Sequence, residues 1–175
     1  VASASLQRHP QSPGSAVRAI EVELARRAGA LEVAYVMTGD MERVRIPAPA
    51  TPQRAERLWE HTCCELFVAE RGAQGYVEFN FSPSTEWACY GFSRYRHAAA
   101  SAGSAPAIVV RRSADALELR ATVRISTPRK IALGISAVVE DEGGALSYWA
   151  LRHPAGKPDF HHAEAFALEL DEIRH

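Results

Sequence analysis

Between residues 16 and 170 the chain breaks into short runs rich in Val, Ile, Leu, Phe and Tyr, separated by clusters of Gly, Pro, Asp and Ser. That punctuation is the pattern of many strands joined by turns, and it constrains the fold more than any other feature. Strands are expected at residues 16–24, 31–37, 44–46, 63–70, 76–81, 87–92, 107–112, 117–124, 131–140, 146–151 and 165–170. In the run at 117–124, Leu117, Leu119, Ala121 and Val123 alternate with Glu118, Arg120, Thr122 and Arg124, so one face is wet and the other packed. In the run at 16–24 the alternation slips phase near Ile20, which reads as a bulge. The best helical candidate is TPQRAERLWEH at 51–61, with Thr51 placed to cap and Pro52 at the first helical position. The absence of strand–helix–strand alternation argues against a parallel doubly wound sheet. The expectation is an all-β antiparallel sandwich or barrel in a single domain spanning 15–175, preceded by a flexible segment at 1–14. HAAASAGSAPA at 97–107 reads as a flexible surface loop.

Composition bounds the function. The 175 residues carry 20 Lys plus Arg against 21 Asp plus Glu, a net charge of −1, and 47% are hydrophobic. Such a chain can bury a core and lacks the basic excess of a nucleic-acid binder. No apolar stretch approaches the length of a membrane-spanning helix, so neither nucleic acid nor membrane is expected as a partner. Cys63, Cys64 and Cys89 cannot form a regular disulfide framework and offer no paired C-x-x-C spacing for zinc. They read as small buried residues of a protein from the reducing cytoplasm, with a removed export leader left open because the chain does not begin with Met.

Three segments carry a family likeness: LWEHTCCELFVAE, YVEFNFSPSTEWACYGFSRYR and SYWALRHPAGKPDFHH. In them the sequence resembles the DOMON-like group of proteins related to the family-9 carbohydrate-binding modules. The resemblance implies a jelly-roll-like β-sandwich of about 10 strands. It implies carbohydrate or haem binding, and in the carbohydrate modules a pair of Trp rings and a structural calcium.

The residues themselves suit a polar ligand. In YVEFNF, Glu78 and Asn80 fall on the face opposite Val77, Phe79 and Phe81. Glu65 on the preceding strand can join that row, and Trp87, Tyr95 and Trp149 can border it. Carboxylate, amide and guanidinium groups bond sugar hydroxyls, while aromatic rings stack on the apolar sugar face. Arg94 and Arg96 in GFSRYRH add planar forks suited to an anionic group. The proline-stiffened loop HPAGKPDFHH concentrates His153, Lys157, Asp159, His161 and His162. The expected ligand set is therefore Glu65, Glu78, Asn80, Trp87, Arg94, Arg96, Trp149 and His161, with Trp59 and His153 as second choices, and the expected ligand is a saccharide-like small molecule.

Competing chemistry is also present. His153, Asp159 and His161 or His162 have the ligand types of a divalent-metal site, although adjacent His side chains diverge, and Asp159 equally fits a structural loop. EDEGG at 140–144 reads as a hairpin turn rather than a calcium loop. Haem would require Met37 or Met41 as an axial ligand. Glu65 and Glu78 have the residue types of a glycosidase pair. No nucleophile elbow, P-loop or dinucleotide fingerprint occurs, so no catalytic residue is assigned. An interaction module pairing through a sheet edge is the third reading.

Overall fold

The computed structural model describes residues 1–100 and 103–171. Its strands, numbered in chain order, are all paired antiparallel. One sheet has five strands in the order β1 (Ala2–Ser5), β3 (Val17–Arg27), β4 (Ala30–Gly39), β10 (Ala116–Arg124) and β9 (Ala107–Arg112). The larger sheet runs β2 (Gln7–Arg8), β12 (Leu146–Ala150), β11 (Ile131–Glu140), β5 (Cys63–Glu70), β6 (Tyr76–Phe81), β7 (Trp87–Arg94) and β8 (His97–Ala99), with β13 (Leu168–Leu170) pairing the start of β11. The chain is thus the antiparallel β-sandwich that its periodicity predicts, with 13 strands among the described residues and no α-helix there.

The core fills the space between the sheets. From the smaller sheet, Ile20, Val22, Leu24, Tyr35, Leu117, Leu119, Ala121 and Val123 face inward, and all but Tyr35, which is followed by Val36, are strand positions whose neighbours are polar or small. The larger sheet contributes Cys64, Leu66, Phe79, Phe81, Ile135, Ala137 and Val139. Cys63, Cys64 and Cys89 are all buried. The register of β3 against β4 shifts between Val17 and Ala19, placing a bulge at the expected phase slip. Tyr35 of β4 spans the core and donates its hydroxyl to the Glu65 carbonyl of β5 at 2.7 Å, pinning one sheet to the other beneath the outer-face position of Glu65.

Several expectations are corrected. Residues 1–14 are not a loose lead-in: β1 pairs β3, β2 pairs β12, and buried Leu6 between them donates its N–H to Ile20. One apolar anchor and two edge ladders hold a segment whose Ser, Pro and Gly content resembles a linker. Residues 51–61 form no α-helix; Trp87 of β7 exchanges backbone hydrogen bonds with Gln53 and Ala55, and only Leu58–Glu60 turn as a 3-10 helix. Backbone groups spent on a sheet edge are unavailable to a helix, and Arg57 takes a left-handed conformation, φ 61°, that ends any helical run. The expected strand at 44–46 reduces to one bridge, Val44 to Asp141, after a 3-10 turn at Met41–Arg43. The loop expected at 97–107 begins instead with β8, and its residues 101–102 lie outside the described residues, as do 172–175 of the expected domain.

Candidate ligand-binding cleft

The outer face of the larger sheet, turned away from the core, is not simply solvated. Register places Glu65 opposite Ser136 and Asn80, Phe67 opposite Glu78, and Glu78 opposite Tyr90, so these side chains share that face. The chain from Arg152 to Phe166 crosses it. His161 and Phe166 pack their rings on Phe67, with centroids 5.1 and 5.9 Å away, and both also contact Tyr76. Between this crossing segment and the turn holding Trp59 lies a cleft of about 600 Å³. That size is typical of a small-molecule site.

Glu65, Glu78 and Val138 lie in the cleft floor. Trp59 and Tyr90 make an edge-to-face pair at 5.9 Å along one wall, and Tyr148 and Phe160 a tilted pair at 6.0 Å along another. Phe92, Arg96, Lys157, Pro158 and His161 complete the lining.

Electrostatics in the floor follow from burial. Glu65 and Glu78 are 3% and 5% exposed. Burial, reinforced by the neighbouring Glu78 charge, pushes the Glu65 carboxyl well above the usual carboxylate range, while the Ser136 hydroxyl, donating at 3.2 Å, acts the other way. Burial likewise lifts Glu78 to about 7, against the pull of the nearby Asn80 amide and Arg96 guanidinium. His161 is pushed down to about 4 by burial and by Arg96. Its ring is therefore neutral at pH 7, and its Nε2, 3.4 Å from the Glu78 carboxyl, is a close polar neighbour rather than a countercharge. With Nε2 protonated, Nδ1 accepts from the Tyr76 hydroxyl at 2.8 Å, and that hydroxyl in turn accepts the Arg96 backbone N–H at 3.1 Å.

Arg96 is fixed from the other side. Its Nη2 donates to Asp159 Oδ1 at 2.8 Å, Tyr95 donates its hydroxyl to the other carboxylate oxygen, and the His161 N–H donates to Oδ1 at 3.1 Å. Burial alone would raise the Asp159 carboxyl; the bonds from Tyr95 and Arg96 outweigh it and hold it below its ordinary value. This clasp ties the turn after β7 to the crossing segment. It converts a proline-stiffened loop into a wall.

Of the predicted ligand set, the structure brings Glu65, Glu78, Arg96 and His161 together in the cleft, with the second-choice Trp59. Asn80 lies on the same face but is wholly buried outside the lining, and among the described residues neither of its amide atoms meets a partner at hydrogen-bonding geometry. Arg94 is exposed at the end of β7, outside the cleft. Trp87 and Trp149 must be corrected: both point into the sandwich. Trp149 is 5% exposed and donates its indole N–H to Ser147 at 3.0 Å, and Trp87 packs on the core. The reason is parity, because Tyr90 and Phe92, not Trp87, share a face with Glu78, and Tyr148, not Trp149, lies on the cleft side. Tyr90, Phe92, Tyr148 and Phe160 were absent from the predicted set; an odd number of steps along the strand from each Trp is the signal that finds Tyr90, Phe92 and Tyr148, whereas Phe160 lies on no strand and has no such signal. His153 sits apart, with Nε2 2.7 Å from the Gln7 carbonyl and its ring against His9.

Metal and haem find little here. Among the described residues no three His, Cys, Asp or Glu side chains converge as metal ligands, and Asp159 is committed to Tyr95, Arg96 and His161. Met37 and Met41 are in the core, 1% and 0% exposed, on the far side of the sheet from His161.

No protein-family model matches the sequence, and no curated protein sequence matches it. Solved structures do. A candidate carbohydrate-binding protein from Bacteroides uniformis superposes with a TM-score of 0.71 at 14% identity, covering 94% of this chain and 83% of its own. A family-9 carbohydrate-binding module from Caldicellulosiruptor kristjanssonii in complex with glucose gives 0.62 at 9% identity, covering 95% and 83%. A family-9 module from the same organism in complex with cellotriose gives 0.54 at 11% identity, covering 83% and 70%. At these identities the fold is what is shared, and it is the fold that the family likeness of the sequence implies.

Proposed function

We propose that this protein is a non-catalytic carbohydrate-binding domain that holds a saccharide in the outer-face cleft of its larger sheet. One observation carries the reading: aromatic walls, two buried carboxyl groups and a clasped guanidinium converge on a single cleft of about 600 Å³. A sugar ring offers C–H faces to Trp59, Tyr90, Tyr148 and Phe160, and its hydroxyls offer bonds to Glu65 and Glu78 below and Arg96 and Lys157 at the rim. The glucose and cellotriose bound by two structural neighbours support a saccharide as the ligand class.

Glycoside hydrolysis is the second reading, favoured by a Glu78 carboxyl held near 7, as a general acid requires. Against it, burial moves Glu65 and Glu78 in the same direction, whereas a glycosidase needs its two carboxyl groups driven apart. A glycan array at pH 7, run beside chromogenic aryl glycosides, separates the two. The expected result is retention of one glycan class by the wild type, a loss of about tenfold or more in Glu78→Gln, and no turnover. An array without retained glycans contradicts the binding reading; turnover abolished in Glu78→Gln replaces it with hydrolysis.

A further inference from the structure

Among the described residues three acidic side chains are buried: Glu65, Glu78 and Glu140. The fold gives only one of them charged partners. Glu140 meets Arg45 Nη1 at 3.0 Å and His61 Nδ1 at 2.7 Å, on separate oxygens. Burial alone would raise its carboxyl, but these partners outweigh burial and hold it below its ordinary value. Glu65 receives the uncharged Ser136 hydroxyl at 3.2 Å and Glu78 stands 3.4 Å from the neutral His161 ring, and neither forms an ion pair with Lys or Arg among the described residues.

The two unmatched carboxyls are neighbours. Glu65 lies directly across from Asn80, and Glu78 lies two positions from Asn80 on the same strand, which sets their Cα atoms on a diagonal of about 7–8 Å. Buried so close together, they cannot both ionise without a positive charge beside them. The cations lining the cleft are not placed to supply it: Arg96 commits Nη2 to Asp159 at 2.8 Å and Nε to the Tyr95 hydroxyl at 3.3 Å, and Lys157 is exposed to water at the rim. Over the pair opens the cleft of about 600 Å³ with Trp59, Tyr90, Tyr148 and Phe160 in its walls, and aromatic faces attract a cation within about 6 Å. Among the described residues no third His, Cys, Asp or Glu side chain joins the pair as a metal ligand, and a bare ion would leave the rings and most of the cleft unused. An ammonium carried on a sugar ring uses both parts of the cleft. Its N–H groups reach the carboxylates and the C–H faces of its ring reach the aromatic walls.

Resting on the saccharide reading, we propose that the cleft selects an amino sugar, whose ammonium supplies the countercharge that Glu65 and Glu78 lack. On binding, one carboxyl of the pair gives up its proton to solvent and the ammonium takes that proton's place. The titratable groups around the pair keep one charge state between pH 5 and 7. Burial raises the Cys63 thiol and the Tyr76 and Tyr90 phenols and lowers His161 to about 4, while Arg96 and Asp159 hold each other ionised against burial. With Glu78 at about 7, losing its proton grows easier across that range, so affinity for the amine rises with pH.

Calorimetric titration at pH 6 with the glucosamine disaccharide of chitosan, its di-N-acetyl counterpart and cellobiose tests this, because the three share ring and linkage and differ in carrying ammonium, acetamide or hydroxyl. The amine is expected to bind about tenfold or more tighter than either counterpart. Buffers of different ionisation enthalpy are expected to show about one proton released per amine bound and none for cellobiose. Glu65→Gln or Glu78→Gln is expected to bring the three affinities within about twofold of one another. Equal or tighter binding of either counterpart, or an amine preference that survives both substitutions, overturns the amino sugar while leaving the saccharide reading intact. Cyclohexylamine, a ring with an ammonium and no hydroxyl, separates the two ideas from the other side: if it binds as tightly as the glucosamine disaccharide, the saccharide reading falls. Failure of all three disaccharides to bind overturns the amino sugar, and the saccharide reading falls with it only if the glycan array is also empty.

Discussion

Glu78 and His161 face each other across 3.4 Å, and the fold moves their proton affinities in opposite directions. Glu78 rises from 4.5 to about 7, so between those values the folded protein holds a proton that the unfolded chain has lost, and stability falls as pH rises through the window. His161 drops from 6.5 to about 4, so there the unfolded chain holds the extra proton and stability rises with pH. The two slopes oppose each other up to about pH 6.5, and above it the penalty of ionising buried Glu78 stands alone on this pair. Glu78→Gln is therefore expected to be more stable than wild type at pH 8 by about 1–3 kcal/mol, with the gain shrinking toward pH 5. Scanning calorimetry across that range measures it; a variant less stable than wild type at pH 8 contradicts a buried, reluctantly ionised Glu78. A carboxyl kept in place at such a cost is explained by what it contacts in the cleft rather than by what it adds to folding.

Strand register decides which side chains can meet. Alternation within β6 alone placed Glu78 and Asn80 on the face opposite Phe79 and Phe81, and the strand at 63–70 supplied Glu65, so the polar floor was legible from local sequence. Which aromatic residues join it was not, because that depends on the pairing of Glu78 with Tyr90 and of Val138 with Tyr148, set by partners distant in sequence. Choosing Trp87 and Trp149 by residue type landed an odd number of positions from Tyr90 and Tyr148, three in β7 and one in β12, and in a strand an odd step is the other face. Truncation separates the two roles. Trp149→Ala is expected to cost about 3–5 kcal/mol in urea denaturation, as large aromatic truncations in a core do. Trp59→Ala, at a position 40% exposed, is expected to stay within about 0.5 kcal/mol of wild type and lose saccharide affinity. A Trp149→Ala protein of unchanged stability contradicts the inward assignment of that ring.

At the scale of the whole molecule, two antiparallel sheets enclose one core, and the larger sheet carries a second, outer layer laid down by the segment from Arg152 to Phe166. The sandwich itself was readable from period-two alternation and turn spacing, because both are local. Its outer layer was not: the segment was recognisable as ionisable and proline-stiffened, but its path over Phe67 depends on a missing side chain at Gly134 and on the Asp159 clasp to Arg96 and Tyr95. The edge-pairing of residues 1–14 and 51–61 was hidden for the same reason, since an edge ladder needs a partner and little apolar surface of its own. The central claim, a saccharide held on the outer face of the larger sheet, is tested most directly by amide chemical-shift mapping during titration with the tightest-binding glycan from the array. Shifts are expected to concentrate at Trp59, Glu65, Glu78, Tyr90, Arg96, Tyr148 and His161, leaving β3, β4, β9 and β10 unmoved. Shifts centred on the five-stranded sheet, or no saccharide that produces any, contradict the account.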